Sequence, residues 1–269
     1  MKLGILYRNL LQEVRAKPHD RIKIYEDDKL LVVMPLTHFG AVKYGQNTPW
    51  CTSVASNPFW FTSFCDNGML IYYHDKTTGK KYAQSFNPMG EVTIWGEAKD
   101  EMLRQLPVNV PPHVQDRIRE LWIEKQKELD DKYAKVAQIK DKLIKGIELS
   151  PDETHVPGSL DLRGYRGETL GNLKTVSGYV SLPDAKSLKT LGYLTHVGDN
   201  LTLDGAASLE SLGALETVRG YLNLDYTRVI DLGNLRTVGS SLSIKKTPLI
   251  TLSDEEIRSR VNVGGDIYR

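Results

Sequence analysis

The sequence predicts an α+β chain in three parts. These are a small mixed N-terminal domain (1–106), a long connecting helix (107–149) and a C-terminal parallel β-solenoid (150–269) of about six rungs. Three observations predict it. All five Phe and three of the four Trp lie in the first 100 residues, and neither type occurs after Ser150; such composition shifts mark domain boundaries. The stretch from Pro107 to Glu148 has the Lys, Glu, Asp, Leu and Ile content of a long helix. The tail repeats every 20 or 21 residues, the signature of stacked coils.

In the first part, Leu3–Val14 predicts an amphipathic helix ended before Pro18. Arg21–Glu26 and Lys29–Met34 are strand-like and joined at Asp27-Asp28. Thr37–Tyr44 predicts a short helix stopping at Gly45, and Pro58–Phe64 another. Met69–His74, Lys81–Phe86 and Glu91–Trp95 predict a meander, turning at Thr78-Gly79 and at Pro88-Met89-Gly90. Ala98–Leu106 is expected to close the domain as a helix before Pro107.

In the second part, Val114, Ile118, Leu121, Trp122, Leu129, Tyr133, Val136, Ile139, Leu143 and Ile147 recur at helical spacing. Glu128/Lys132, Asp131/Lys135 and Asp141/Lys145 are spaced i,i+4 with the acid first, the better orientation. The charges balance, so the outer face is solvated rather than basic. The stripe suits a connector packed on its own domains, or an oligomer contact through 112–147. It is short for a stable coiled coil.

In the third part, Leu-Gly recurs at 170, 191, 212 and 232, with a Leu three positions on and a Val six positions on. An apolar pair follows each: Val180/Leu182, Leu201/Leu203, Leu222/Leu224 and Leu242/Ile244, extended outward to Leu160/Leu162 and Val261/Val263. Alternate residues of a strand share one face, so each pair is one rung. A Gly precedes most pairs (158, 178, 198, 220, 239) and is expected to supply a positive φ there. Ser253-Asp-Glu-Glu256 is a capping box opening a short helix through Arg258, and Ser150-Pro-Asp-Glu153 has the same form. The period and the Leu-x-Leu strand, over 158–264, resemble leucine-rich repeats. Three residues rather than two separate Val176 from Val180, and Ala185, Gly205, Tyr226 and Lys246 stand near the usual ladder Asn. A short-coil relative or another solenoid is therefore also open.

The residues between the apolar pairs point away from the core: Asp161, Ser181, Thr202, Asn223, Ser243 and Asn262. Tyr179, Asn200 and Tyr221 flank them. The face is either a solvated surface or a partner-binding one, carried by Asp161, Tyr179, Ser181, Asn200, Thr202, Tyr221, Asn223 and Ser243. Asp161, Asp204 and Asp225 would repel phosphate, which argues against a DNA or RNA duplex.

The N-terminal domain carries Tyr44-Gly-Gln-Asn-Thr48-Pro-Trp50-Cys51-Thr52, then Phe59–Phe64, Gly68-Met-Leu-Ile-Tyr72-Tyr73 and Lys81-Tyr82-Ala-Gln84. Over about 22–100 this resembles uncharacterised bacteriophage proteins with a Thr-x-Trp-Cys-Thr segment, except that Pro49 replaces their Lys. The resemblance implies phage origin, an accessory role acting on the host, and no established chemistry. Cys51 is a candidate nucleophile with His74 or Lys81 (or Lys43) as partner, or a small buried core residue. Tyr44, Thr48, Trp50, Thr52, Lys81 and Gln84, with Trp60, could wall a small-molecule or nucleotide site, or equally an ordinary core. Cys51, Cys65 and His74 lack metal-ligand spacing, and no cofactor is implied.

The formal net charge of +1 argues against a dedicated nucleic-acid binder. Two Cys suit a reducing compartment. No membrane span is expected and Arg8 and Glu13 interrupt any leader core, so a cytoplasmic place is expected, which the resemblance to phage proteins puts in a host cell. Three functions are weighed. The first is a phage accessory protein whose solenoid docks a host protein, such as a defence or regulatory factor. The second is an enzyme working through the Trp-Cys-Thr domain. The third is a virion assembly protein.

Overall fold

A computed structural model describes residues 20–56, 59–97 and 101–269. The expected Leu3–Val14 helix lies outside them. The chain divides into two compact units, Met1–Asp130 and Asp131–Arg269.

The first unit is built on one antiparallel sheet whose strands lie in chain order: β1 (Arg21–Glu26), β2 (Leu30–Pro35), β3 (Met69–Asp75), β4 (Lys81–Phe86), β5 (Val92–Trp95) and β6 (Met102–Leu103). Asp27 makes the first hairpin by accepting the Lys29 and Leu30 N–H groups on Oδ1. Side chains alternate across the sheet. Val33, Leu70, Tyr72 and Ala83 pack with Ala41 and Tyr44 of α1 (His38–Tyr44), with Trp50, and with Phe61 of α2 (Phe59–Asp66). Leu30, Val32, Met69, Ile71, Tyr73 and Tyr82 pack instead with Val114, Ile118, Leu121, Trp122 and Leu129. Burial on both faces explains why β2 and the first part of β3 are nearly continuous apolar runs.

The expected helix over Ala98–Leu106 does not form in its described part. Met102 and Leu103 pair with Trp95 and Ile94 as edge strand β6, and the Gly96 N–H donates to the Glu101 carbonyl to close the turn. A helix there could bury only a few side chains, whereas the strand satisfies backbone groups along an open edge.

Helix α3 runs from Pro112 to Ile144. It stops earlier than the apolar spacing suggests. Gly146 takes a φ of 67°, and the Gly146 and Ile147 N–H groups close on the Leu143 and Lys142 carbonyls. That is a Schellman stop, so Ile147 lies outside the helix and is exposed. The stripe serves both units in turn: Val114 to Leu129 in the first, Ile139 and Leu143 in the second. Of the expected ion pairs, Asp141–Lys145 forms at 2.7 Å, while Lys135 donates to the Asp152 carbonyl.

The second unit is a parallel β-solenoid with two six-stranded sheets. One consists of β8 (Leu160–Asp161), β10 (Val180–Ser181), β12 (Leu201–Thr202), β14 (Leu222–Asn223), β16 (Leu242–Ser243) and β18 (Ile267–Tyr268). The other consists of β7 (His155–Val156), β9 (Thr175–Val176), β11 (His196–Val197), β13 (Thr217–Val218), β15 (Thr237–Val238) and β17 (Asn262–Val263). A third side is marked by bridges linking Thr169, Thr190 and Ser211. The repeated Leu and Val positions fill the interior as one continuous core, each fully buried Leu contributing about 2 kcal/mol of transfer free energy.

The solenoid departs from the expected repeat pattern in two places. Val261/Val263 is not the sixth rung: Val263 pairs with Val238 in the second sheet, and Ile267 pairs with Leu242 as the sixth strand of the first. An inserted cap, α4 (Asp254–Arg260), carries the intended capping box on Ser253 and lengthens this last coil. The Gly residues before each rung do not have positive φ; positive φ falls instead at corners such as Gly164, Gly192 and Gly205. The pre-rung Gly serve close approach. A Cβ on Gly198 would lie 1.9 Å from the Ser177 carbonyl oxygen of the coil below.

Both ends are closed. At the start, Ile139, Leu143 and Leu149 cover the first coil, and Lys142 pairs with Glu153. That ammonium, with the Ser150 N–H and hydroxyl, holds the Glu153 carboxyl at about 2. At the far end Arg258 donates to the Val263 and Gly265 carbonyls, both at 2.6 Å. In the coil below, the corresponding Val238 and Ser240 carbonyls accept from the Gly264 and Gly265 N–H groups. One guanidinium thus stands in for two N–H groups of a further coil.

Candidate functional sites

The Trp-Cys-Thr segment folds onto the α1 side of the sheet as a 3-10 turn, Cys51–Ser53. Trp50 is buried, its indole N–H donating to the Gly96 carbonyl at 2.8 Å. The Thr52 and Tyr72 hydroxyls share a hydrogen bond of 2.7 Å, and the Trp50 and Tyr72 rings lie 5.0 Å apart. Tyr44 is buried beneath the cations of Arg21 (5.1 Å) and Lys43 (5.4 Å). The Thr48 hydroxyl donates to the Gly45 carbonyl. Trp50, Thr52 and Thr48 therefore spend their polar groups inside the domain.

Lys81 lies opposite His74 in the β3–β4 register and donates to the Gln46 carbonyl. Burial lowers its pKa, opposed by Glu97. Burial, and secondly Lys81, hold His74 at about 4, so its imidazole is neutral at pH 7. Its Nε2 is buried without a partner, which keeps this base from a substrate in solvent. Cys51 is exposed, whereas Cys65 is half-buried and pushed up to about 12 by burial. The side chain of Trp60 lies outside the described residues.

Gln84 does not join this group. It lies on the opposite face of the sheet, where it accepts from the Tyr73 hydroxyl. There it borders a cavity of about 410 Å³ lined also by Phe86, Asn109, Gln115, Arg119 and Trp122. Sequence reasoning missed these residues because they come from three separate segments. The available signal was the alternation of β4, which puts Gln84 and Ala83 on opposite faces.

On the solenoid, the first sheet carries the expected outward column, but its members differ. Asp161 forms a fork with Arg163 at 2.6–3.0 Å, which lowers its pKa. Ser181, Thr202 and Asn223 are half-buried. Ser243 is fully buried, and its hydroxyl donates to Asp225 Oδ1, so it faces no partner. Asn200 is exposed, but its Oδ1 accepts the Tyr221 N–H of the next coil at 2.7 Å. Ser159 and Ser241 do the same for Tyr179 and Asp266.

What the sheet presents outward is tyrosine. Tyr179 is 41% exposed and Tyr268 45%, with Tyr221 half-buried between them. Tyr226 stands beyond the end of β14, is 60% exposed, and has a φ of 61°. In the same register other coils place Gly164, Asp184, Gly205 and Lys246, all with positive φ.

Among the described residues no group of three or more His, Cys, Asp or Glu could hold a metal ion, and no helix is long and apolar enough to cross a membrane. No protein-family model, no curated protein and no solved structure matches the chain.

Proposed function

We propose that the chain is an interaction protein whose solenoid docks a protein partner on the outer face of the β8–β18 sheet. A solenoid offers a long, regular surface for this purpose. The observation that carries the reading is the tyrosine set Tyr179, Tyr221, Tyr226 and Tyr268. Tyr179 and Tyr221 stand two strands, about 10 Å, apart. Tyrosine gives large, rigid, amphipathic contact area and is enriched at interface centres. Tyr226 adds a second point. Its ring is 60% exposed, at a corner where the neighbouring coils carry Gly205 and Lys246 with the same positive φ.

On this reading the resemblance to bacteriophage proteins makes the partner a host protein and the chain an accessory factor. The test is affinity capture from a bacterial host lysate, with quantitative mass spectrometry, using wild-type chain and the variant Tyr179→Ser/Tyr226→Gly/Tyr268→Ser. Tyr193→Ser, an exposed change outside this sheet, is the control. A prey held by wild type and Tyr193→Ser but lost by the triple variant supports the proposal. Equal capture by all three refutes this face as the docking surface.

A further inference from the structure

We infer that the N-terminal unit binds a planar heteroaromatic ring of lactam type bearing one anionic group, in the cavity beside Gln84. The inference is independent of the solenoid reading. The cavity's volume of about 410 Å³ lies within the range of small-ligand sites, which combine apolar walls with a few convergent polar groups. The Phe86 and Trp122 rings stack at 5.4 Å and 28° and give it a flat aromatic wall.

The polar groups are oriented before any ligand arrives. The Tyr73 hydroxyl donates to Gln84 Oε1, which fixes the amide and leaves its NH₂ as a donor; among the described residues nothing accepts from it. The Gln115 NH₂ is held by the Val110 carbonyl at 2.8 Å, which leaves Gln115 Oε1 as an acceptor. A lactam edge, with a carbonyl and an N–H side by side, answers one donor and one acceptor.

Arg119 borders the same cavity. Its Nη1 engages Asp116 at 2.8 Å, and its remaining N–H groups are available for a carboxylate or phosphate. A neutral ring would leave that cation unused, and an aliphatic acid would leave the aromatic wall unused.

Isothermal titration of the full chain tests the inference, with uracil, orotate, uridine 5′-monophosphate and guanosine 5′-monophosphate as probes. Binding of an anionic probe at least tenfold tighter than uracil is expected. Arg119→Ala should weaken the anionic probes at least fivefold and leave uracil unchanged. Arg117→Ala, whose side chain pairs with Glu120 and does not line the cavity, should change nothing. Gln84→Met should weaken every probe. Orotate and the nucleotides separate a ring carboxylate from a phosphate as the preferred anion. No heat from any probe at millimolar concentration, or binding that Arg119→Ala leaves intact, overturns the inference.

Discussion

Removing the guanidinium of Arg258 tests how the solenoid ends. Every inner coil passes its Val carbonyl, and the carbonyl two residues on, to N–H groups of the next coil. At the coil that carries β17 and β18, Arg258 supplies both donors at 2.6 Å. Hydrogen bonds from a charged donor contribute about 1.5–3 kcal/mol each by mutation. Here water can reach the carbonyls once the side chain is gone, since Gly264 is exposed and Gly265 half-exposed. About 2 kcal/mol in total is therefore expected for Arg258→Ala. A cooperative unit of about 140 residues shifts by roughly 3 °C per kcal/mol, giving a fall in Tm of roughly 6 °C. Arg258→Lys should recover less than half, because an ammonium cannot span two carbonyls as a planar fork does. Amide hydrogen exchange localises the effect: the Gly264 and Gly265 amides should exchange faster, and the Gly198 amide, three coils away, should not. A loss below about 0.5 kcal/mol with unchanged exchange at Gly264 and Gly265 would show that the guanidinium does not replace a coil.

Three further outcomes are expected. Tyr226→Gly relieves a φ of 61° and should raise stability by about 0.5–1 kcal/mol net of glycine's chain entropy; a lower urea midpoint would refute the strain. Gly198→Ala drives a Cβ to 1.9 Å from the Ser177 carbonyl oxygen and should cost about 2–3 kcal/mol, read as a reduced urea midpoint with near-unchanged slope. His74 is held at about 4 in the fold against an ordinary value near 6.5. The unfolded chain therefore takes up its proton first as pH falls. The stability present above pH 6.5 is lost between 6.5 and 4, by about 1–2 kcal/mol after allowance for solvent screening. His74→Gln should flatten that slope in urea titrations at pH 7 and pH 4.5, and an equal slope in both proteins would count against the burial account.

Much of the solenoid follows from spacing, because each of its contacts is between equivalent residues one repeat apart. Val180 meets Leu201 and Leu160, so a 20- or 21-residue period is itself a contact map. The rule fails where the period breaks: the cap α4 inserts after Leu252, and the last rung moves from Val261/Val263 to Ile267/Tyr268. It also fails at Ser243, which is expected to face outward but is buried beneath the Asp225 carboxylate, 18 residues earlier in the chain.

The sequence by itself determined the repeat, the position of α3, the meander and the capping box on Ser253, since each rests on local spacing or on a self-contained turn. Only the tertiary structure decided that 102–103 form a strand, that Gln84 and Trp50 lie on opposite faces of one sheet, that Arg258 ends the solenoid, and that Gln84, Gln115, Arg119 and Trp122 share a cavity. Those depend on which distant segments supply a hydrogen-bond partner or a wall, and residue spacing along the chain carries no record of that.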